Sequence, residues 1–94
     1  DQEQVEAQLN LGIMYKYGRG VEENYTQAVF WFKKPAEKGY AEAQTNLGLM
    51  YEYGKGVKQD YTEAILWYEK AAEQDDVTSQ LSLALFYKFG KGVR

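Results

Sequence analysis

A chain of 94 residues without one cysteine or histidine cannot assemble a Cys/His zinc site, a Ser-His-Asp triad, a thiolate nucleophile or a disulfide. A formal net charge of −3 argues against nonspecific nucleic-acid binding, which rewards clustered Lys and Arg, while 45% hydrophobic and 16% aromatic residues supply a core and argue against disorder. No apolar run approaches the roughly 18–20 residues that span a bilayer, so membrane insertion is not expected.

The chain repeats itself. Sliding it by 36 positions lays Leu11 to Val21 (LGIMYKYGRGV) on Leu47 to Val57 (LGLMYEYGKGV), and a second slide reaches Leu83 to Val93 (LALFYKFGKGV). Between these blocks, Asn24 to Gly39 matches Asp60 to Asp75. Two repeats and the first half of a third follow, with boundaries at residues 1–39, 40–75 and 76–94. Such periodicity marks stacked units rather than one compact domain.

Each repeat reads as two helices. The first is predicted over about Val5 to Tyr17, with Ala7, Leu11, Met14 and Tyr15 on one apolar stripe at helical spacing. Gly18 stops it in a left-handed conformation, and Gly54 and Gly90 repeat that stop. The second helix starts at Asn24 or Asp60, each followed three residues later by Gln27 or Glu63 in a capping-box pattern. Its buried stripe is predicted to be Ala28, Trp31, Phe32 and Ala36, then Ala64, Trp67, Tyr68 and Ala72. Gly39 closes the first copy; Asp75 stands in that place in the second, where Asp76 or Thr78 is expected to cap the next helix. Pro35 replaces the alanine found at Ala71, which predicts a kink or an early helix end near Trp31 to Lys34.

Several motifs invite chemistry and lose to simpler readings. The Gly-x-Gly loops at Gly18, Gly54 and Gly90 follow helices, so no helix N-terminus faces an anion there. Arg19, Lys55 and Lys91 make a short basic row, too sparse for nucleic acid. Glu22 with Glu23, and Asp75 with Asp76, stand beside helix starts, where carboxylates complement the macrodipole.

The pattern A-x-x-x-L-G-x-x-Y-x-x-G-x-G-V, then D-Y-x-x-A-x-x-W-Y-x-K-A-A, resembles the Sel-1-like repeat, a relative of the tetratricopeptide repeat. The departures are Pro35 for alanine, Ala84 for the helix glycine and Asp75 for the closing glycine. The resemblance implies an all-α fold, a right-handed α-α superhelix of antiparallel helix pairs, with about five helices in two and a half repeats and the first helices lining a concave side. It further implies a scaffold that binds other proteins, with no enzymatic activity and no cofactor. The compartment is left open, although such relatives point to a bacterial exported protein, periplasmic or secreted.

Helical geometry then places a candidate groove. Opposite Leu11 and Tyr15 lie Glu6, Leu9, Ile13, Lys16 and Tyr17; the second repeat offers Glu42, Thr45, Leu49, Glu52 and Tyr53, and the third Thr78, Leu81, Leu85, Lys88 and Phe89. Ile13, Leu49 and Leu85 form an aliphatic rail and Tyr17, Tyr53 and Phe89 an aromatic row, a surface suited to a helix or extended peptide with apolar anchors. The same residues could instead be inter-repeat core. A protein or peptide partner is the leading expectation. The alternative is self-association, since Leu83, Phe86 and Tyr87 would lack a covering second helix and open solenoid ends either continue in a longer chain or stack on another copy.

Overall fold

A computed structural model describes residues 1–90. They form five α-helices: α1 (Gln2–Tyr17), α2 (Tyr25–Glu37), α3 (Ala41–Tyr53), α4 (Tyr61–Ala72) and α5 (Val77–Phe89). No strand occurs among the described residues. The third Gly-x-Gly loop beyond Gly90, with Lys91, lies outside them.

Local chemistry sets the helix ends. Asp1, Asn24, Asp60 and Asp76 each accept a hydrogen bond from the backbone N–H three residues on, which satisfies a donor that the first helical turn leaves open. Asp1 thereby starts α1 three residues earlier than the apolar stripe predicts. Asp76 is the cap of α5, and Thr78 lies inside the helix. The backbone N–H groups of Asn24 and Asp60 donate to the Tyr15 and Tyr51 carbonyls, which anchors each second helix on the first. Gly18, Gly54 and Gly90 adopt φ of 66°, 65° and 71°, the left-handed closure predicted for them. Asp75 takes the same conformation, φ 66°, where the first repeat uses Gly39.

Pro35 neither ends nor shortens its helix: α2 continues to Glu37. A proline removes one backbone donor and crowds the turn before it, but it does not prevent the chain from continuing in helical conformation for the last two residues. The Pro35 carbonyl accepts from the Lys38 and Tyr40 backbone N–H groups, so the residue helps to close the helix.

Each helix packs on its neighbours in sequence, α1 on α2, α2 on α3, α3 on α4 and α4 on α5. The first core cluster joins Ala28, Val29, Phe32 and Ala36 of α2 to Ala43, Leu47 and Met50 of α3; the second joins Ala64, Ile65 and Tyr68 of α4 to Phe86 of α5. Ala43, Leu47 and Met50 are fully buried, whereas their counterparts in α1 are exposed (Ala7) or half-buried (Leu11, Met14). This stripe faces the preceding helix pair, and no described helix lies there for α1. Trp31 and Trp67 are only half-buried rather than central: Trp67 packs on the edge of the first cluster, and Trp31 meets Phe30 edge-on at 5.1 Å.

Candidate partner-binding face

The side of each first helix that meets its second helix is marked by Gly12 and Gly48. The Phe32 ring lies where a Cβ on Gly12 would point, and the Tyr68 ring does the same at Gly48, at 2.5–2.6 Å. Angles around the helix can be counted from these contacts at about 100° per residue. Lys16 and Leu9 fall at about 40° and 60°, Ile13 at about 100°, Glu6 at about 120°, Tyr17 at about 140° and Asn10 at about 160°. The second and third repeats follow the same order.

This order separates the predicted groove residues into two sets. Leu9 and Ile13 are half-buried and pack against the cluster that holds Ala43 and Leu47, and Leu49 packs against Ile65, Tyr68 and Phe86. Thr45 is 7% exposed, and its hydroxyl shares a 2.7 Å hydrogen bond with the buried Ser79 hydroxyl of α5. Thr45 is therefore a core residue, not a groove residue. Of the aliphatic rail, Ile13 and Leu49 therefore pack on the two core clusters. Leu81 and Leu85, 61% and 55% exposed, stand free because no described helix follows α5.

The Thr45 correction carries a stability prediction. Thr45→Val should cost about 1–3 kcal/mol, because it leaves the Ser79 hydroxyl buried without a partner. Adding Ser79→Ala should restore most of that loss, since the pair then approaches the apolar packing of Leu9 against the cluster holding Ala43. Urea melts of the two single variants and the double variant measure this; equal losses in the Thr45→Val and double variants would contradict it.

The second set remains at the surface. Tyr17, Tyr53 and Phe89 are 55%, 60% and 65% exposed, and Glu6, Glu42, Thr78 and Lys88 are exposed with them. Lys16 and Glu52 are half-buried ties at the margin. The Lys16 ammonium donates to Asn46 Oδ1 at 2.8 Å, linking α1 to α3, and Glu52 accepts from the Tyr68 hydroxyl at 2.7 Å. Burial first, and then the Glu52 carboxylate, pushes the Tyr68 phenol far above its ordinary range, so it remains a donor. Burial, with Glu63 and Asp60 nearby, likewise raises Tyr51.

Asn10, Asn46 and Ser82 occupy one repeat position that the sequence reading left out: Asn10 is exposed beside this face, while Asn46 and Ser82 are half-buried and bonded, Asn46 with Lys16 and the Glu42 carbonyl and Ser82 with the Tyr68 hydroxyl. Their 36-residue spacing and near opposition to Gly12 were the available signal. Between the N-terminal ends of α1 and α3 the face dips into a depression of about 400 Å³ lined by Glu6, Leu9, Asn10, Tyr40 and Glu42. The other end is cationic and aromatic: Lys16 and Arg19 sit 5.2 and 4.9 Å from the Tyr17 ring centre, and Lys88 5.6 Å from that of Phe89. A larger depression of about 510 Å³, by Glu69, Glu73, Gln80 and Leu83, lies between α4 and α5, away from this face.

No group of three or more Asp or Glu that could hold a metal ion occurs among the described residues. No described helix is long and apolar enough to cross a membrane.

Comparison with known proteins agrees with this geometry. A crystal structure of a protective antigen present in uropathogenic Escherichia coli strains, displaying an SLR fold, superimposes with a TM-score of 0.94 at 46% identity, over 98% of this chain and 20% of that one. The crystal structure of a Sel1 repeat protein from Oxalobacter formigenes gives 0.93 at 41% identity, over 99% of this chain and 38% of that one. The chain therefore spans well under half the length of either protein. No curated protein matches it. The Sel1 repeat family model matches residues 5–40, 41–76 and 77–94, the same 36-residue period that the glycines, caps and clusters follow in space. With both the repeat pattern and its three-dimensional packing accounted for, the chain belongs to the Sel1 repeat family.

Proposed function

We propose that the protein is a non-enzymatic scaffold that holds a protein or peptide partner on the outward face of its first helices. Sel1 repeats are generally protein–protein interaction modules. The observation that carries the finer reading is the exposed aromatic row of Tyr17, Tyr53 and Phe89. The core does not use these side chains, and exposed aromatic residues rimmed by charge are the usual anchors of protein interfaces. Glu6 and Glu42 at one end of the face, and Lys16, Arg19 and Lys88 at the other, frame the anchors.

Leu49 is unsuited to a test of this reading, because it packs on the second core cluster. The double variant Tyr17→Ala/Tyr53→Ala is suited to it. Its melting midpoint should stay near that of the parent, since exposed substitutions usually move stability by about 0.5 kcal/mol or less. Partner affinity should fall roughly a hundredfold, the effect of losing two anchor residues. A pull-down of partners that bind the parent chain, with circular dichroism of both proteins, provides the readout. Undiminished capture by a folded double variant would overturn the groove.

A second reading rests on α5, whose Val77, Leu81, Leu85 and Tyr87 are 54–66% exposed. Stacking of another copy on this face would cover them. The double variant leaves α5 untouched, so loss of partner with unchanged self-association separates the two readings.

A further inference from the structure

Resting on the groove reading, we infer that the partner segment carries an arginine whose guanidinium seats in the depression between the N-terminal ends of α1 and α3. That depression, about 400 Å³, is walled by Glu6, Leu9, Asn10, Tyr40 and Glu42. Its size is near the lower end of ligand pockets, roughly 300–1,000 Å³, which suits one long side chain. Among the described residues, no hydrogen bond or ion pair engages the Glu6 or Glu42 carboxylate, the Asn10 amide or the Tyr40 hydroxyl. Two carboxylates thus share one depression without a cation paired to either, and the charge that complements them is positive.

The helix start at Tyr40 is a separate observation. α1, α2, α4 and α5 begin at Asp or Asn caps, whereas α3 begins at Tyr40, whose side chain makes no cap bond. Tyr40 instead packs on the first core cluster and lines the depression. An aromatic ring beside two carboxylates favours guanidinium over ammonium. The planar group stacks on the ring while its five N–H donors meet the oxygens.

The next interval along the solenoid offers no such seat. There the equivalents of Leu9, Asn10 and Tyr40 are Thr45, Asn46 and Asp76, and each is already committed. Thr45 bonds Ser79, Asn46 bonds Lys16 and the Glu42 carbonyl, and Asp76 caps α5. Lys38 also stands in the place of Gln2.

Charge then sets a direction. Glu6 and Tyr17 lie on one side of α1, about 16 Å apart along its axis. About five extended residues cover that span. Arg19 stands 4.9 Å from the Tyr17 ring centre and repels a guanidinium at that end. The segment therefore places its arginine by Glu6 and an apolar anchor about five residues away on Tyr17.

The test is a titration of the isotopically labelled chain with three synthetic peptides. They share a leucine anchor and differ only at one position about five residues from it, which holds arginine, lysine or citrulline, the neutral isostere of arginine. The arginine peptide should shift the amide signals of Glu6, Asn10, Tyr40 and Glu42 together with that of Tyr17. It should bind roughly tenfold more tightly than the citrulline peptide and several-fold more tightly than the lysine peptide, and weaken as salt is raised. Glu6→Gln/Glu42→Gln replaces two exposed side chains and keeps the fold, and its affinity for the arginine peptide should fall roughly tenfold. Equal binding of the arginine and citrulline peptides, or no loss in the double variant, overturns the inference, as does lysine binding as tightly as arginine. Shifts confined to Tyr17 and its neighbours overturn it and leave the groove reading in place. If no peptide shifts either region the inference also fails, and the groove reading is decided separately by the partner capture described above.

Discussion

Gly48→Val is expected to remove most of the stability of the central helix pair, about 3 kcal/mol or more of a total on the order of 5–15 kcal/mol. The first added carbon would lie 2.5 and 2.6 Å from two ring carbons of Tyr68, and valine adds two more. The ring has nowhere to retreat. It is fully buried, its centre lies 6.0 Å from that of Phe86, and its hydroxyl is tied to Glu52. Separating the helices instead would open the second core cluster. A denaturant melt followed by circular dichroism measures the loss, and an unchanged midpoint would show that the close approach is not needed. Truncating the opposing ring makes room, so the loss in Gly48→Val/Tyr68→Ala should be smaller than the sum of the two single losses.

Phe86→Ala should release α5 and leave the rest of the solenoid standing. Phe86 is 1% exposed and holds α5 down through Tyr61, edge-on at 5.4 Å, and Tyr68. Its truncation costs about 3–5 kcal/mol. What else retains the helix is mostly peripheral: Leu83 on the second cluster, the Ser79 hydrogen bond to Thr45, and the hydrogen bonds of Gln80 to the Ala72 carbonyl, of Tyr87 to Glu69 and of Ser82 with Tyr68. In a solenoid, a terminal element detaches without its more distant neighbours, since each unit contacts only the next. Amide exchange should therefore accelerate across residues 77–89 while α1, α2 and α3 keep their protection. Uniform acceleration in all five helices would show a single cooperative unit instead.

Much of the architecture was legible before any coordinates. The period, the two helices per repeat, the glycine stops and the caps at Asn24, Asp60 and Asp76 are local features, readable from spacing and residue type. The early helix end expected at Pro35 does not occur: α2 runs on to Glu37, and the Pro35 carbonyl takes part in closing it. Thr45 was misplaced for a different reason. A small polar residue at about 60° from the helix–helix seam looks like surface until its partner, Ser79, is known to arrive from a helix 34 residues away. The aliphatic rail repeats that lesson, since an apolar residue suits both a groove and the seam between repeats.

The sequence by itself determined the repeat, the helix boundaries within a few residues and the absence of thiol or imidazole chemistry, because these follow from composition and from interactions spanning a few residues. Only the tertiary structure decided which outward-pointing side chains stay outward. Leu9, Ile13 and Leu49 pack on the core clusters and Thr45 is buried against Ser79 of α5, while Tyr17, Tyr53 and Phe89 stay exposed. The physical reason is that a helical wheel gives a direction, whereas burial depends on whether another helix lies in that direction. In a stacked repeat that neighbour comes from the next unit along the chain.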